Sequence, residues 1–515
     1  GGSYPSRFLE ASQLLLNHQC IRCHDLGQDS QAVDYRTTRS FPDLMDLGIR
    51  RNRQYVVEKI LNPKFEGSHS EMPRMLDSNS EQHLLLANDL AEFLVSGPQI
   101  SEESPPDDNL PELGEKLSEQ LGCIGCHPLP LDNDEDSYGR ISLQFTRAKF
   151  TPRGLVAFLK DPHRHAPFRK MGNFQLSTRE AEALAALVRN HSRQPLPLRS
   201  KKLPTAGNAE RGRKAFFSLG CANCHQAGKD QAKADLLPVQ NMEAGCLAVN
   251  DKAPVGIYPR LELSNDQKQL LGYQLGEFKG GGAFTRSSIH EALSSTPSWK
   301  QTAELTRMLR CNTCHGDETS PARLPEIVLD EGASGLNPER LPDLSQIGTK
   351  LHADWLEQFL AGKSGPRPRP WLKTRMPTFP AYSGLLAHGL AHQAGFSAQS
   401  PTVKKSEPDL ARQGRQLTLS AGGLDCRQCH GVGDLPPTGD EKTQIVLGIN
   451  FSQVSRRIRK EYYDRWMRDP LRIDPQTKMP RYSADGRSTQ VREILDGQAP
   501  RQFEALWQYL NTVRQ

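Results

Sequence analysis

The chain has 515 residues, 65 Lys/Arg against 60 Asp/Glu for a formal charge of +5, an apolar share of only 36%, and 41 Gly with 37 Pro. That length suits three to five domains, and an apolar share below the usual ~45–50% means many turns and little core per domain. No run of 18 apolar residues exists to span a membrane, and the charge is no nucleic-acid signal, because residues 451–515 alone hold 13 Lys/Arg against 8 Asp/Glu.

The chain opens "GGSYPSRFLE" without a charged-then-apolar export segment. The reading is that a leader has been removed or that Gly1 follows an artificial boundary; an upstream lipid anchor is compatible with either. An amphipathic helix is then expected over "ASQLLLNHQC", followed by Cys20-Ile-Arg-Cys23-His24, a helix "YVVEKILNP", Met72 in "SEMPRM" and a closing helix "SEQHLLLANDLAEFL". A polar, Pro-rich linker occupies 97–112.

The same order returns with "GEKLSEQLGC", Cys123-Ile-Gly-Cys126-His127, "LVAFLKDP", Met171 in "RKMGNF" and "STREAEALAALV", then a linker at 192–208. The acidic run at 131–139 reads as a solvated loop. A third pass starts with "GRKAFFSLGC" and Cys221-Ala-Asn-Cys224-His225 but lacks the aromatic helix ending in proline. The fourth has "TAELTRMLRC", Cys311-Asn-Thr-Cys314-His315, "WLEQFLAGKSGP" and Met376 in "TRMPTF". No spacer separates it from the third, so those two are expected to pack as one unit. After a linker at 397–410, the fifth has "GRQLTLSAGGLDC", Cys426-Arg-Gln-Cys429-His430, "YYDRWMRDP", Met479 in "TKMPRY" and "RQFEALWQYLNTV".

Ten of the eleven cysteines thus fall in five Cys-x-x-Cys-His motifs whose first cysteines are 103, 98, 90 and 115 residues apart. The motif reads as c-type haem attachment: two thiols become thioethers and the adjacent His binds the iron. Zinc is the bland alternative, but it calls for a second Cys/His pair nearby. The cofactors expected are therefore five covalently bound haem c, with His24, His127, His225, His315 and His430 on the irons. Such haem is attached after export, so a periplasmic or extracellular location is expected. Each haem brings two propionates, which leaves the loaded protein near neutral when oxidised and acidic when reduced. Cys246 is left over and is expected to be a buried, small apolar residue.

The order helix, haem motif, helix, Met loop, helix resembles the class I cytochrome c fold, and the tandem array is similar to the multihaem cytochromes of planctomycete-type bacteria. The resemblance implies a mainly α chain of five small cytochrome c-like domains, one haem each: 1–100, 101–200, 201–298 (divergent, without the Met loop), 299–404 and 405–515. It implies the axial pairs His24/Met72, His127/Met171, His315/Met376 and His430/Met479. Met75 competes with Met72, but Met72 to Glu81 and Met171 to Glu180 are both nine residues. In the third repeat Tyr258 takes the methionine position. The sixth ligand there stays open among His290, Tyr258, Met242, Lys252, Cys246 and no ligand, with His290 placed first.

Methionine ligation favours ferrous iron and a high potential, and a filled coordination sphere carries electrons without bond chemistry. The expected role is therefore electron transfer between extracytoplasmic respiratory partners such as cytochromes, an oxidase or a reductase, with no nucleic acid and no membrane span. Two rivals stay open. One is a haem enzyme, peroxidase- or small-molecule-reductase-like, with the third haem catalytic. The other is an electron-transfer subunit of a larger respiratory complex or filament.

Overall fold

The computed structural model describes residues 10–11, 14–15, 18, 20, 24–25, 41–64, 72–97, 109–128, 136–192, 195–196, 207–227, 237–238, 245–248, 257, 259–278, 298–317, 320–333, 341–369, 374–399, 405–439 and 447–513. It is mainly helical. Among the described residues the only paired strands are β1 (His24–Asp25) and β2 (Leu237–Pro238), which run parallel. Two compact units form: Gly1–Glu119 with Cys126–Pro297, and Gln120–Gly125 with Ser298–Gln515. The third and fourth repeats, expected to pack as one unit, fall on opposite sides of this division. The reason is that each spends its apolar helix faces inside its own unit.

The first unit contains α1 (Leu47–Arg50), α2 (Arg53–Leu61), α3 (Glu81–Val95), α4 (Leu110–Gln120), α5 (Thr146–Lys149), α6 (Pro152–Lys160), α7 (Thr178–His191), α8 (Ala209–Ser218) and α9 (Asn265–Phe278). Caps set several starts. Ser177 and Glu180 form a reciprocal capping box on α7, and Asn208 Oδ1 accepts from the Arg211 N–H at the start of α8. The main core joins α1, α2 and α3 to α8, with Val57, Leu76, Ala87 and Phe216 almost fully buried. Burying a side chain such as Phe216 contributes roughly 1.5–3 kcal/mol.

The α3–α8 contact is close because Gly212 has no Cβ; one there would collide with the Asp89 carbonyl. Asp89 accepts from Arg211 Nε at 2.7 Å and from the Asn208 N–H at 2.6 Å, and Phe93 meets Phe216 at 5.6 Å between ring centres. The helix that opens the third repeat therefore packs on the helix that closes the first.

The second unit contains α10 (Ser298–Met308), α11 (Leu324–Asp330), α12 (Ile347–Lys350), α13 (Ala353–Leu360), α14 (Ser383–Gln393), α15 (Pro408–Leu417), α16 (Val454–Arg457), α17 (Lys460–Arg468) and α18 (Ala499–Leu510). Here the opening and closing helices of the same repeat cross: α10 with α14, where Gly389 faces Thr302, and α15 with α18, where Gly414 faces the Ala505 carbonyl. Gln502, on the inner face of α18, is fully buried yet satisfied: its Nε2 donates to the Val491 and Ile494 carbonyls, both at 2.7 Å, and its Oε1 accepts from Thr489 at 2.6 Å. A buried amide costs little when its hydrogen bonds are made.

Candidate metal centres

The Cys-x-x-Cys-His turns share one backbone design. The residue before the first cysteine is left-handed in four of them: Gly122, Gly220, Arg310 and Asp425, with φ of 77°, 74°, 59° and 54°. In three turns the His N–H then closes on the carbonyl of the first cysteine: His225 on Cys221, His315 on Cys311 and His430 on Cys426, at 2.9–3.0 Å. This brings both cysteines and the histidine into a single tight turn.

The motif imidazoles of His127, His225, His315 and His430 are each held through Nδ1. Nδ1–H donates to Ile141 O from His127, to Pro342 O from His315 and to Ile449 O from His430, at 2.8, 2.8 and 2.7 Å. That bond fixes the tautomer and leaves Nε2 as the lone-pair donor to a metal. A second bond locks the same loop: the Leu344 N–H donates to Gly316 O and the Phe451 N–H to Gly431 O, both at 2.8 Å. His430 also stacks on Phe451, with Gly448 under the ring. Burial holds the imidazoles of His225, His315 and His430 below their ordinary range, with the accepted carbonyl pulling the other way. Neutral imidazole is the form a metal takes.

His225 makes the same pair of bonds with a segment from far upstream. Its Nδ1–H donates to Pro42 O at 3.0 Å, and the Leu44 N–H donates to Gln226 O at 2.8 Å. The acceptors at the other sites lie 14, 27 and 19 residues away in sequence; Pro42 lies 183 away. Of the first motif, Cys20 and the backbone of His24 are described, and His24–Asp25 pairs with Leu237–Pro238.

In the fourth repeat the expected axial pair faces itself: His315 Nε2 lies 3.4 Å from Met376 Sδ. Met479 Sδ accepts from Trp466 Nε1 at 2.8 Å, beside the core that holds Cys426 and Phe451. Met171 and Met72 are partly buried in their loops. Met75 packs on the α3–α8 core, three residues after Met72, as the buried Phe379 lies three after Met376. That is a packing position. Cys23, Met242, Lys252, Tyr258 and His290 lie outside the described residues. Cys246, expected to be buried, is partly exposed in the turn Gly245–Leu247, which is too short to cover it.

Basic side chains in both units were not singled out from the sequence. In the second, the chain just beyond α12 and α16 forms an antiparallel bridge, Leu351 opposite Ile458: the His352 N–H donates to Arg457 O, and the Arg459 N–H to Lys350 O, at 3.0 and 2.9 Å. This seam gathers Lys350 Nζ over the Tyr462 and Trp466 rings and Arg457 over Trp355. The Arg457 Nε and Nη1 are enclosed with no hydrogen-bond partner among the described residues. Burial, with repulsion from Arg457 and Arg369, pushes the Lys350 ammonium down to about 7. The first unit repeats the seam between α1 and α5, where the Asn52 N–H donates to Lys149 O and the Thr151 N–H to Arg50 O, both at 3.3 Å. Enclosed Arg50 and Arg169 each keep an Nε without a partner among the described residues. A recurring sequence signal exists: "LGIR", "TRAK", "IGTK" and "VSRR" are four short helices, each ending in a base just before the aromatic helix.

These features fit haem. Arg169, Lys350 and Arg457, enclosed with no carboxylate acting on them among the described residues, suit a group that brings two carboxylates, and the imidazoles present Nε2. Zinc is the poorer fit, because it calls for a second Cys/His pair beside the motif. No group of three His, Cys, Asp or Glu side chains suited to an ion gathers among the described residues. No helix among the described residues is long and apolar enough to cross a membrane. No family model, curated protein or solved structure matches the chain.

Proposed function

We propose that the chain is a pentahaem c-type cytochrome that passes electrons between redox proteins outside the cytoplasm. The observation that carries the reading is His315 Nε2 facing Met376 Sδ across 3.4 Å, on a Cys-x-x-Cys-His turn whose imidazole is already oriented by Pro342. The bound haem supplies a one-electron couple. The chain supplies two axial ligands, thioether anchorage, and buried bases against the propionates. Methionine raises the potential, and an iron with both axial positions filled does not bind substrate.

The two seams extend the reading. Arg50 and Arg169 are candidates to receive propionates in the first unit, and Lys350, Arg369 and Arg457 in the second. A cation near a propionate favours the reduced state, because the net charge of the haem becomes more negative on reduction.

The test is expression in a host that attaches haem c, followed by intact mass, haem content and a spectroelectrochemical titration with and without carbon monoxide. The expected result is five haems per chain, mostly low-spin, and little carbon monoxide binding. A chain that leaves the attachment machinery without haem, or that binds zinc in its place, overturns the reading. A high-spin haem that binds carbon monoxide and turns over peroxide moves it to the enzyme alternative.

A further inference from the structure

We propose that the first and third repeats exchange halves, so that His225 and Met72 form the axial pair of the haem attached at Cys221 and Cys224, while the first motif docks on the segment around Pro238. This rests on the haem reading above and changes which methionine serves which iron.

Three independent features of the first unit support it. The first is the imidazole clamp. At the fourth and fifth sites, the proximal His donates to a carbonyl, and the N–H two residues beyond that carbonyl returns to the residue after the His. His225 makes both bonds, with Pro42 and Leu44 of the first repeat. The second is helix packing. Helix α8 runs directly into the third motif, and it occupies the crossing position on α3 that α15 occupies on α18 within the fifth repeat. Gly212 sits over the Asp89 carbonyl as Gly414 sits over that of Ala505. One groove admits one helix, so the leading helix of the first repeat cannot also lie there. Cys221 and Ala222 pack on the same core as Met75, in the loop that carries Met72.

The third feature is reciprocity. The first motif enters a parallel pairing, His24 opposite Leu237 and Asp25 opposite Pro238. "LLPV" at 236–239 places a proline 13 residues after His225, and "SFPD" at 40–43 places one 18 residues after His24; with these two prolines aligned, the first motif meets in the third repeat the place that the third motif meets in the first. The two halves therefore trade partners. The missing methionine then belongs to the haem of the first motif, because the segment it joins carries Tyr258 at the methionine position. It also follows that the α1–α5 seam joins the haem of the third motif to that of the second.

The test uses the full-length protein, after intact mass has established five attached haems; fewer haems in the parent protein would count against the functional reading rather than this one. Proton NMR of the reduced state counts iron-bound methionine methyl groups by their large upfield shifts. Met72→Ala should remove one of these signals. The double variant Cys221→Ala/Cys224→Ala should remove the same signal, and Cys20→Ala/Cys23→Ala should leave it in place. Loss of the Met72 signal with the Cys20/Cys23 pair, and its survival without the Cys221/Cys224 pair, overturns the exchange. Should either cysteine variant fail to fold, a double-mutant cycle on Asp89→Asn and Arg211→Gln, read by thermal unfolding of the holoprotein, decides the point. Non-additive losses support the α3–α8 contact; additive ones, as for residues that never meet, overturn it.

Discussion

The fifth repeat and the first differ in one respect that local sequence does not reveal. In the fifth, α15 opens the repeat, α18 closes it, and the two cross at Gly414 with His430 clamped 19 residues from its acceptor. In the first, the closing helix α3 is crossed by α8, which arrives after the whole second repeat has intervened. Both crossings use the same device, a glycine seated on a backbone carbonyl. A helix pair of this kind is specified by shape and not by chain order, so a repeat protein can satisfy it with either of two equivalent partners. The α3–α8 pair adds an electrostatic anchor between Asp89 and Arg211. Although burial alone raises the Asp89 carboxyl, Arg211 and the Asn208 N–H hold it below the usual range.

The largest effect that separates the two regions is on the irons. Met376→Ala should lower the potential of one haem by on the order of 0.1–0.3 V, within the ~0.8 V that axial ligands span. Met72→Ala should do the same to a different haem, and redox titration of both variants shows whether the exchanged site is as high-potential as the self-contained one.

Next come the crossings. Gly212→Val and Gly414→Val should each cost roughly 3–5 kcal/mol, because a backbone carbonyl cannot move aside as a side chain can. Thermal unfolding measures the cost. In the optical spectra, Gly414→Val should perturb the fifth site alone, whereas Gly212→Val should perturb the third while its motif keeps its haem.

The seams allow a pH test. In protein stripped of haem, burial, with Arg457 and Arg369 behind it, lowers Lys350 from 10.5 to about 7. Between these values the unfolded chain binds the extra proton, so stability should rise with pH across that window, and below about 7 the charged form in the fold should carry its full penalty. Urea unfolding at a series of pH values should show the rise, and Lys350→Met should flatten it. In the holoprotein a propionate beside the ammonium should abolish the slope. The same substitution there should lower one haem potential by up to about 59 mV, a tenfold change for one electron.

The smallest effect concerns the turns. Gly220 is left-handed at no steric cost, but Arg310 holds φ 59° at the equivalent place. Arg310→Gly should stabilise the fourth site by roughly 0.5–1 kcal/mol, the strain less the entropy that glycine adds to the unfolded chain. Chemical denaturation of the two proteins checks it.

The sequence alone determined the local pattern: on the proposed reading two thiols and an imidazole meet one haem from a single turn, so the five Cys-x-x-Cys-His motifs are contiguous and legible. The helices were legible for the same reason, since apolar recurrence and caps such as Ser177 and Glu180 act over a few residues. The methionine at 376 was legible through its place in a repeated order of elements, and the structure sets it against His315. The tertiary structure decided the partners. Nothing near His225 in sequence announces Pro42, because a hydrogen bond to a carbonyl carries no side-chain signature and 183 residues intervene. The seams were hidden in the same way: Lys350 and Arg457 look like ordinary surface bases until two short helices exchange backbone hydrogen bonds and enclose them. Local order fixes what each segment can bind; which segments meet is settled by the close packing of helix faces that several parts of the chain could supply.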